Sequence, residues 1–141
     1  MGKIVCGFAG IGKSSAKEYR PDIRCYDLDS THFKKQDGWE DVYIDCALGL
    51  CKIYDYVFLT TYTCTLKRLN ERKIEWFLIY PKKELKSEYY NRYISRENRM
   101  EFADDFISKW DENINELTQF SNDNKIILDK GEYLSDVIDR I

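Results

Sequence analysis

Residues 6 to 15 combine small, basic and hydroxyl side chains in a spacing suited to holding phosphate. The stretch reads CGFAGIGKSS, and Gly7, Gly12, Lys13 and Ser14 fit the pattern G-x-x-x-x-G-K-[ST]. Glycines let the backbone approach closely enough for its amides to face phosphate oxygens. A lysine at this place can neutralise the β and γ phosphates of a nucleotide, and the following hydroxyl can ligate Mg²⁺. The pattern therefore predicts a binding site for a nucleoside triphosphate.

The residues on either side of this loop favour the same interpretation. Lys3 to Gly7 is an apolar run typical of a buried strand, and Lys13 to Tyr19 has the composition of a helix that ends near Pro21. A strand before the loop and a helix after it form the context in which the pattern binds phosphate, with the positive end of the helix directed at the anion. The alternative is a glycine-rich turn that only connects a strand to a helix.

Two carboxylates close a second apolar run, DIRCYDLD, which ends in Asp27 and Asp29. Ligands of open α/β sheets bind at the carboxyl ends of the strands, and alternate strand residues face the same way. One carboxylate could hold Mg²⁺ through water, and the other could position or deprotonate the attacking group. The alternative is that Asp29 or Ser30 caps a helix by accepting hydrogen bonds from backbone amides.

Arginines are concentrated in a charged, helix-like stretch later in the chain. Arg92, Arg96 and Arg99 occur there, and the first two share a helix face because they are four residues apart. Guanidinium groups closing over a transferring phosphoryl group would stabilise its charge and expel water. Glutamates are interleaved with these arginines, so the alternative is a solvated helix with ion pairs between neighbouring turns.

Short apolar runs alternate with helix-like stretches along the whole chain. Five strands are expected in KIVCG, DIRCYDLD, YVFLTTY, IEWFLIYP and KIILD. Helices are expected at Lys13–Tyr19, from Trp39 to Leu50, around Thr65 to Arg72, in the charged stretch that begins at Lys82, from Phe102 to Leu117 and in EYLSDVIDRI. Alternating strands and helices predict parallel pairing in a three-layer α/β/α sandwich. Since no repeat or linker interrupts the pattern, residues 1–141 are predicted to form a single domain.

Composition narrows the range of partners and compartments. The formal net charge is -3, and the sequence shows no concentrated basic field of the kind that holds bulk nucleic acid. No apolar run approaches the roughly 18 residues of a membrane span. Five cysteines without a C-x-x-C pair are typical of buried, reduced thiols, so we expect a cytoplasmic protein without membrane contact. The only histidine, His32, cannot complete a spaced set of metal ligands.

The order of these features resembles the nucleoside monophosphate kinase and shikimate kinase superfamily: strand, P-loop, helix, a strand ending in D-x-D, and an arginine-bearing segment after the fourth strand. The resemblance implies a five-stranded parallel sheet in the order 2-3-1-4-5, ATP with Mg²⁺, and a mobile lid, here around residues 82–100. It also implies a kinase activity, with a nucleotide or nucleoside phosphate as the small-molecule acceptor.

The same resemblance implies roles for particular residues. It assigns the nucleotide to Ala9, Gly10, Ile11, Gly12, Lys13, Ser14, Ser15 and Lys130. Mg²⁺ is assigned to Ser14 and Asp27. Catalysis is assigned to Lys13, to Asp29 on the acceptor side, and to the lid arginines Arg92 and Arg96.

The sequence departs from the superfamily at the third strand. Thr60, Thr61 and Tyr62 follow it, where the superfamily has a glycine run or an aspartate-glycine turn, and no carboxylate closes YVFL. Asp27 would then replace the missing Walker B aspartate, and Thr60 and Tyr62 become candidate acceptor contacts. GTP-specific binding is disfavoured because no N-K-x-D follows the fourth strand. These departures leave a second hypothesis open, a nucleotide-binding regulatory or interaction protein with weak or no ATPase activity.

Overall fold

Five parallel strands form one sheet. They are β1 (Lys3–Gly7), β2 (Cys25–Asp27), β3 (Tyr56–Leu59), β4 (Trp76–Pro81) and β5 (Lys125–Leu128), in the order β2-β3-β1-β4-β5. The computed structural model describes residues 1–97, 100–120 and 122–141, without the side chains of residues 96, 97 and 100–102. The predicted strand order is confirmed.

The sheet positions the glycine-rich loop at its centre. β1 lies between β3 and β4, and Val5 pairs in register with Phe58 on one side and Phe77 on the other. Ile4, Val5 and Cys6 are buried, as expected for a central parallel strand covered on both faces. Because β1 ends at Gly7, the loop that follows emerges at the carboxyl edge of the sheet, with neighbouring strands on both sides.

Seven helices surround the sheet in the described residues. They are α1 (Ala16–Tyr19), α2 (Trp39–Leu50), α3 (Thr63–Glu71), α4 (Lys86–Glu97), α5 (Met100–Ser108), α6 (Trp110–Thr118) and α7 (Leu134–Val137). Single 3₁₀ turns precede α4 at Lys83–Leu85 and follow α7 at Ile138–Arg140. Within the described ranges, none of the helices has the length and apolar character needed to cross a bilayer.

Two helix predictions are corrected by the structure. The helix expected at Lys13–Tyr19 begins only at Ala16, and residues 13–15 form a turn. The single helix expected from Phe102 to Leu117 is two helices, because a turn at Lys109 interrupts the helical backbone. Trp110, directly after the break, is fully buried, and its indole N–H donates to Lys83 O at 2.8 Å.

The expected burial of the cysteines holds only in part. Cys6 and Cys51 are buried, Cys25 and Cys46 are half-buried, and Cys64 is exposed; all five are free thiols. In the part of the chain that the structure describes, no group of three or more His, Cys, Asp and Glu side chains is arranged to hold a metal ion.

Candidate active site

The loop after β1 is held in place by backbone hydrogen bonds at both ends. Phe8 N donates to Ile79 O of β4 at 3.0 Å, and Ile11 O accepts from Leu134 N at the start of α7 at 2.8 Å. Gly10 has a φ of 89°, a left-handed backbone conformation that residues other than glycine rarely adopt. The loop is therefore fixed against β4 and α7 rather than free in solvent.

Lys13 folds back over the loop that precedes it. Its Nζ donates to Gly7 O at 2.6 Å, and the side chain is half-buried. Burial raises the pKa of the Cys6 thiol beneath the loop, and the positive charge of Lys13 opposes that shift. The ammonium group thus lies at the carboxyl end of β1, where a phosphate held by the loop would meet it.

The expected helix dipole is absent at Lys13. α1 begins at Ala16, with Ser15 as its N-cap residue, and contains four residues. A helix this short, beginning three residues later than predicted, does not direct a positive end at the loop. Any phosphate in this cradle would depend on the loop amides, the Lys13 ammonium and the Ser14 hydroxyl, which is on an exposed residue.

Asp27 is the last residue of β2 and is exposed at the carboxyl edge of the sheet. It pairs in register with Phe58 of β3, which pairs with Val5 of β1. Two strand spacings therefore separate Asp27 from the central strand, about 10 Å across the sheet. The topology brings this carboxylate to the same edge as the loop.

Asp29 lies beyond the strand, in a turn. Its Oδ1 accepts hydrogen bonds from Thr31 N at 2.9 Å and from the Thr31 hydroxyl at 2.7 Å. The Thr31 hydroxyl and amide hold the pKa of Asp29 below its usual range, and the nearby charges of His32 and Lys13 add to the effect. The expectation that Asp29 shares a strand face with Asp27 is wrong. The helix-cap alternative is not realised either, because turns follow Asp29 and α2 begins only at Trp39, with Gly38 as its N-cap residue. The Asp29 carboxylate instead caps a turn at Thr31, and it is still within electrostatic reach of Lys13.

Tyr43 of α2 joins the ends of β2 and β3. Its buried hydroxyl donates to Leu28 O at 2.7 Å and accepts from Thr60 N at 3.2 Å. Burial raises the pKa of this phenol, so it remains a neutral donor at physiological pH. Thr60, a candidate contact for the substrate that accepts the phosphoryl group, is therefore held close to the turn that contains Asp29.

Tyr62 is exposed on the same edge. Lys34 Nζ donates to the Tyr62 hydroxyl and lies 4.0 Å from the centroid of its ring, a cation–π distance. Trp39 is half-buried and meets the Tyr62 ring edge-on at 6.1 Å. This edge offers aromatic surface and a positive charge to a ligand.

Arg92 is the predicted lid arginine whose side chain the structure describes. Its guanidinium donates to Gly10 O at 3.0 Å, to Glu88 at 2.8 Å and to Glu132 O at 3.1 Å. Arg92 forms the ion pair between neighbouring turns that the alternative expects, although its side chain is 11% exposed rather than solvated. Its role toward a transferred phosphoryl group stays a prediction. The Arg96 side chain lies outside the described residues, as does Arg99.

A cavity of about 620 Å³ opens beside the loop and is lined by residues of the loop, of α4 and of the start of α7. Its lining includes Gly10, Gly12 and Ser14 of the loop, Asn91 and Arg92 of α4, and Tyr133. This volume lies in the range of natural small-molecule sites. Lys130, predicted to contact the nucleotide, is exposed in the turn before α7, where its backbone N–H donates to Asp129.

Sequence reasoning missed the tyrosines that pack on the loop. The Tyr93 hydroxyl donates to Ala9 O at 2.9 Å, and the Tyr133 ring approaches Gly12. The only signal for Tyr93 was its four-residue spacing from Tyr89 within a charged stretch, which places two rings on one helix face. Tyr133 carried no comparable signal in the sequence.

The donor groups at this edge suit a hard cation. The Ser14 hydroxyl and the Asp27 carboxylate are both oxygen donors on exposed residues, and Mg²⁺ is bound through one or two carboxylates together with waters and substrate phosphates. These residues therefore fit Mg²⁺ that arrives with a nucleotide better than a metal held by protein groups alone.

Two solved structures share the fold of this chain. A tunicamycin resistance protein of Deinococcus radiodurans is 13% identical, with a TM-score of 0.59, over 99% of this chain and 93% of that one. A shikimate kinase from Bacteroides thetaiotaomicron is 15% identical, with a TM-score of 0.50, over 89% of this chain and 83% of that one. No protein-family model and no curated protein sequence matches the chain. The similarity to these two structures shows a shared fold, and the strand order β2-β3-β1-β4-β5 is the one that the sequence resemblance predicted.

Proposed function

We propose that this protein is a kinase that transfers the γ-phosphoryl group of ATP to a small acceptor, a nucleotide or nucleoside phosphate. The observation that carries the proposal is the position of the glycine-rich loop. It follows the central strand, and Lys13 folds over it. Asp27 ends the second strand at the same edge, and Asp29 lies in the turn that follows. The kinase-like fold supports this class of reaction, and the shikimate kinase among its neighbours supports a small-molecule acceptor.

The proposed transfer breaks the bond between the γ-phosphorus and the β,γ-bridging oxygen and forms a bond from phosphorus to an acceptor oxygen. ADP leaves, and a proton on the acceptor oxygen passes to a carboxylate, for which Asp29 is the candidate. Lys13 and the loop amides would hold the β and γ phosphates, with the segment from Ala9 to Ser15 wrapped around them. Catalysis of this kind depends on positioning and charge stabilisation more than on covalent chemistry.

Mg²⁺ would neutralise charge on the β and γ phosphates when bound. Ser14 would hold it through its hydroxyl, and Asp27 through its carboxylate, directly or through water. Asp27 is the proposed substitute for the Walker B aspartate, because β3 ends in Leu59 and is followed by Thr60 rather than by an acid.

The acceptor would lie on the side of Asp29, Thr60 and Tyr62. Lys34 supplies positive charge there, and Trp39 and Tyr62 supply aromatic surface, a combination suited to a planar, negatively charged compound. This composition favours a nucleotide over a small aliphatic hydroxy acid.

The test is coupled ADP release with ATP and Mg²⁺ against a panel of nucleoside monophosphates, nucleosides and shikimate-like hydroxy acids. We expect one nucleotide to stimulate release strongly, and Lys13→Ala to abolish the stimulation while the chain remains folded. Lys17→Ala, an exposed lysine in α1, is the matched control and should keep the wild-type rate. An unchanged rate in Lys13→Ala would exclude this assignment.

A second function is favoured by the internal contacts of the charged residues. Asp29 accepts hydrogen bonds from Thr31, and Arg92 donates to Gly10 and Glu132, so both side chains have structural contacts that require no acceptor. Such a regulatory or interaction protein would bind MgATP, and no acceptor would accelerate ATP loss. The same panel separates the two functions.

A further inference from the structure

Arg92 lies where three parts of the chain meet. Its guanidinium donates to Gly10 O of the loop at 3.0 Å, to Glu132 O before α7 at 3.1 Å, and to the Glu88 carboxylate one turn earlier in α4 at 2.8 Å. The Arg92 side chain is 11% exposed. Because the planar guanidinium is held from several directions, its orientation is fixed.

Two tyrosine rings pack against the same guanidinium. Arg92 Cζ lies 4.3 Å from the ring centroid of Tyr89 and 3.9 Å from that of Tyr133. Tyr133 also packs on the loop, since its Cδ1 would be 3.2 Å from a Cβ placed on Gly12. Arg92 therefore contacts the segment before α7 through a ring as well as through a backbone carbonyl.

Glu88 extends this set of contacts. Both of its carboxylate oxygens lie 3.2 Å from the backbone nitrogen of Gly131, which donates to them. Glu88 also lines the cavity, where a carboxylate repels any phosphate that enters. A repulsive charge at that position is explained if its role is to hold Arg92 and the segment at Gly131 in place.

We infer that Arg92 is a positioning residue. Held by Glu88, it sets the spacing between the loop and the Tyr133 segment, which form two walls of the 620 Å³ cavity. The nature of the ligand rests on the proposed function, whereas the contacts themselves belong to this chain. Gly10, Glu88 and Glu132 use three of the five N–H donors of the guanidinium, so a direct contact with the transferred phosphoryl group would be left to the other two.

Glu88→Gln distinguishes the two roles by the sign of its effect on MgATP affinity. If Arg92 positions the walls, the neutral amide holds it less firmly, and MgATP affinity falls about ten-fold. If Arg92 binds phosphate directly, removing the competing carboxylate leaves that affinity unchanged or raises it. Arg92→Lys retains the charge but loses the fork, and we expect a similar fall. Glu84→Gln, the same charge change on an exposed residue before α4, is the matched control.

Amide hydrogen exchange supplies a readout that needs no ligand. Leu134 N donates to Ile11 O and so joins the same two walls by a bond that does not involve Glu88. We expect Leu134 to lose protection in Glu88→Gln and in Arg92→Lys, and to keep it in Glu84→Gln.

Unchanged Leu134 protection overturns the inference, as does an MgATP affinity that stays or rises in Glu88→Gln. If the wild-type chain binds no MgATP, the proposed function fails, and the exchange measurement alone decides the role of Arg92. Loss of protection would then support that role, and retained protection would exclude it.

Discussion

The ring of Tyr93 occupies the space that a side chain on Gly10 would need. A Cβ built on Gly10 would lie 2.7 Å from Tyr93 Cε1, and Gly10 has a φ of 89°. The sequence pattern predicts Gly10 as part of a phosphate cradle. The structure adds a second requirement at the same residue, the close packing of α4 on the loop.

We predict that Gly10→Ala destabilises the protein by about 2 to 4 kcal/mol, from backbone strain together with overpacking. The Tyr93 ring cannot easily move aside, because its hydroxyl is bonded to Ala9 O and its ring packs against Phe106 at 5.1 Å. Denaturant unfolding measures the loss.

Gly38→Ala is the control for Gly10→Ala. Gly38 has a φ of 75°, and nothing lies within 4 Å of its Cβ position, so its replacement costs backbone strain alone, about 1 kcal/mol. Combining Gly10→Ala with Tyr93→Ala should cost less than the sum of the two single changes, because the contact is removed. Equal losses in Gly10→Ala and Gly38→Ala would contradict the packing argument.

Tyr43→Phe is expected to lower the free energy of unfolding by about 1 to 3 kcal/mol. The substitution leaves Leu28 O without its buried donor and Thr60 N without its acceptor. Tyr19→Phe removes the same hydroxyl from a side chain that is 72% exposed, and should change stability by less than about 0.5 kcal/mol. A Tyr43→Phe protein as stable as the wild type would show that neither bond matters.

Gly49→Ala is expected to stabilise the protein by about 0.5 to 1 kcal/mol. Gly49 lies within α2 in an ordinary helical conformation, and nothing lies within 4 Å of its Cβ position, so alanine gains helix propensity without a clash. Gly131→Ala has equal space but a φ of 75°, and should destabilise instead. Thermal unfolding of the two variants side by side tests whether the signs are opposite.

The sheet could be predicted because each central strand is an apolar run buried on both faces, as KIVCG and WFLIYP are. The contacts of Arg92 could be predicted only in part. Its pairing with Glu88 follows from the four-residue spacing, whereas Gly10 and Glu132 are 82 and 40 positions away and meet it only through tertiary packing. The last residue of β2 could not be predicted either, since DLDS fits a strand that continues to Asp29 as well as a turn that begins there.

The pKa of Asp29 gives a pH dependence with a definite sign. The Thr31 hydroxyl and amide hold that pKa below its usual range, with His32 and Lys13 adding to the effect. The unfolded chain, with an aspartate pKa of about 3.9, therefore binds the proton more readily than the folded chain. The stabilisation that ionised Asp29 contributes is fully present above the pKa of the unfolded chain, and it is lost as the pH falls through the lower pKa of the folded chain. Asp29→Asn should thus lose less stability than the wild type as the pH falls from about 5 to about 2, measured by denaturant unfolding.

Asp37→Asn, the same change on an exposed loop residue, is the control for Asp29→Asn. If Asp29→Asn loses as much stability in acid as the wild type does, the Thr31 contacts have no stabilising role.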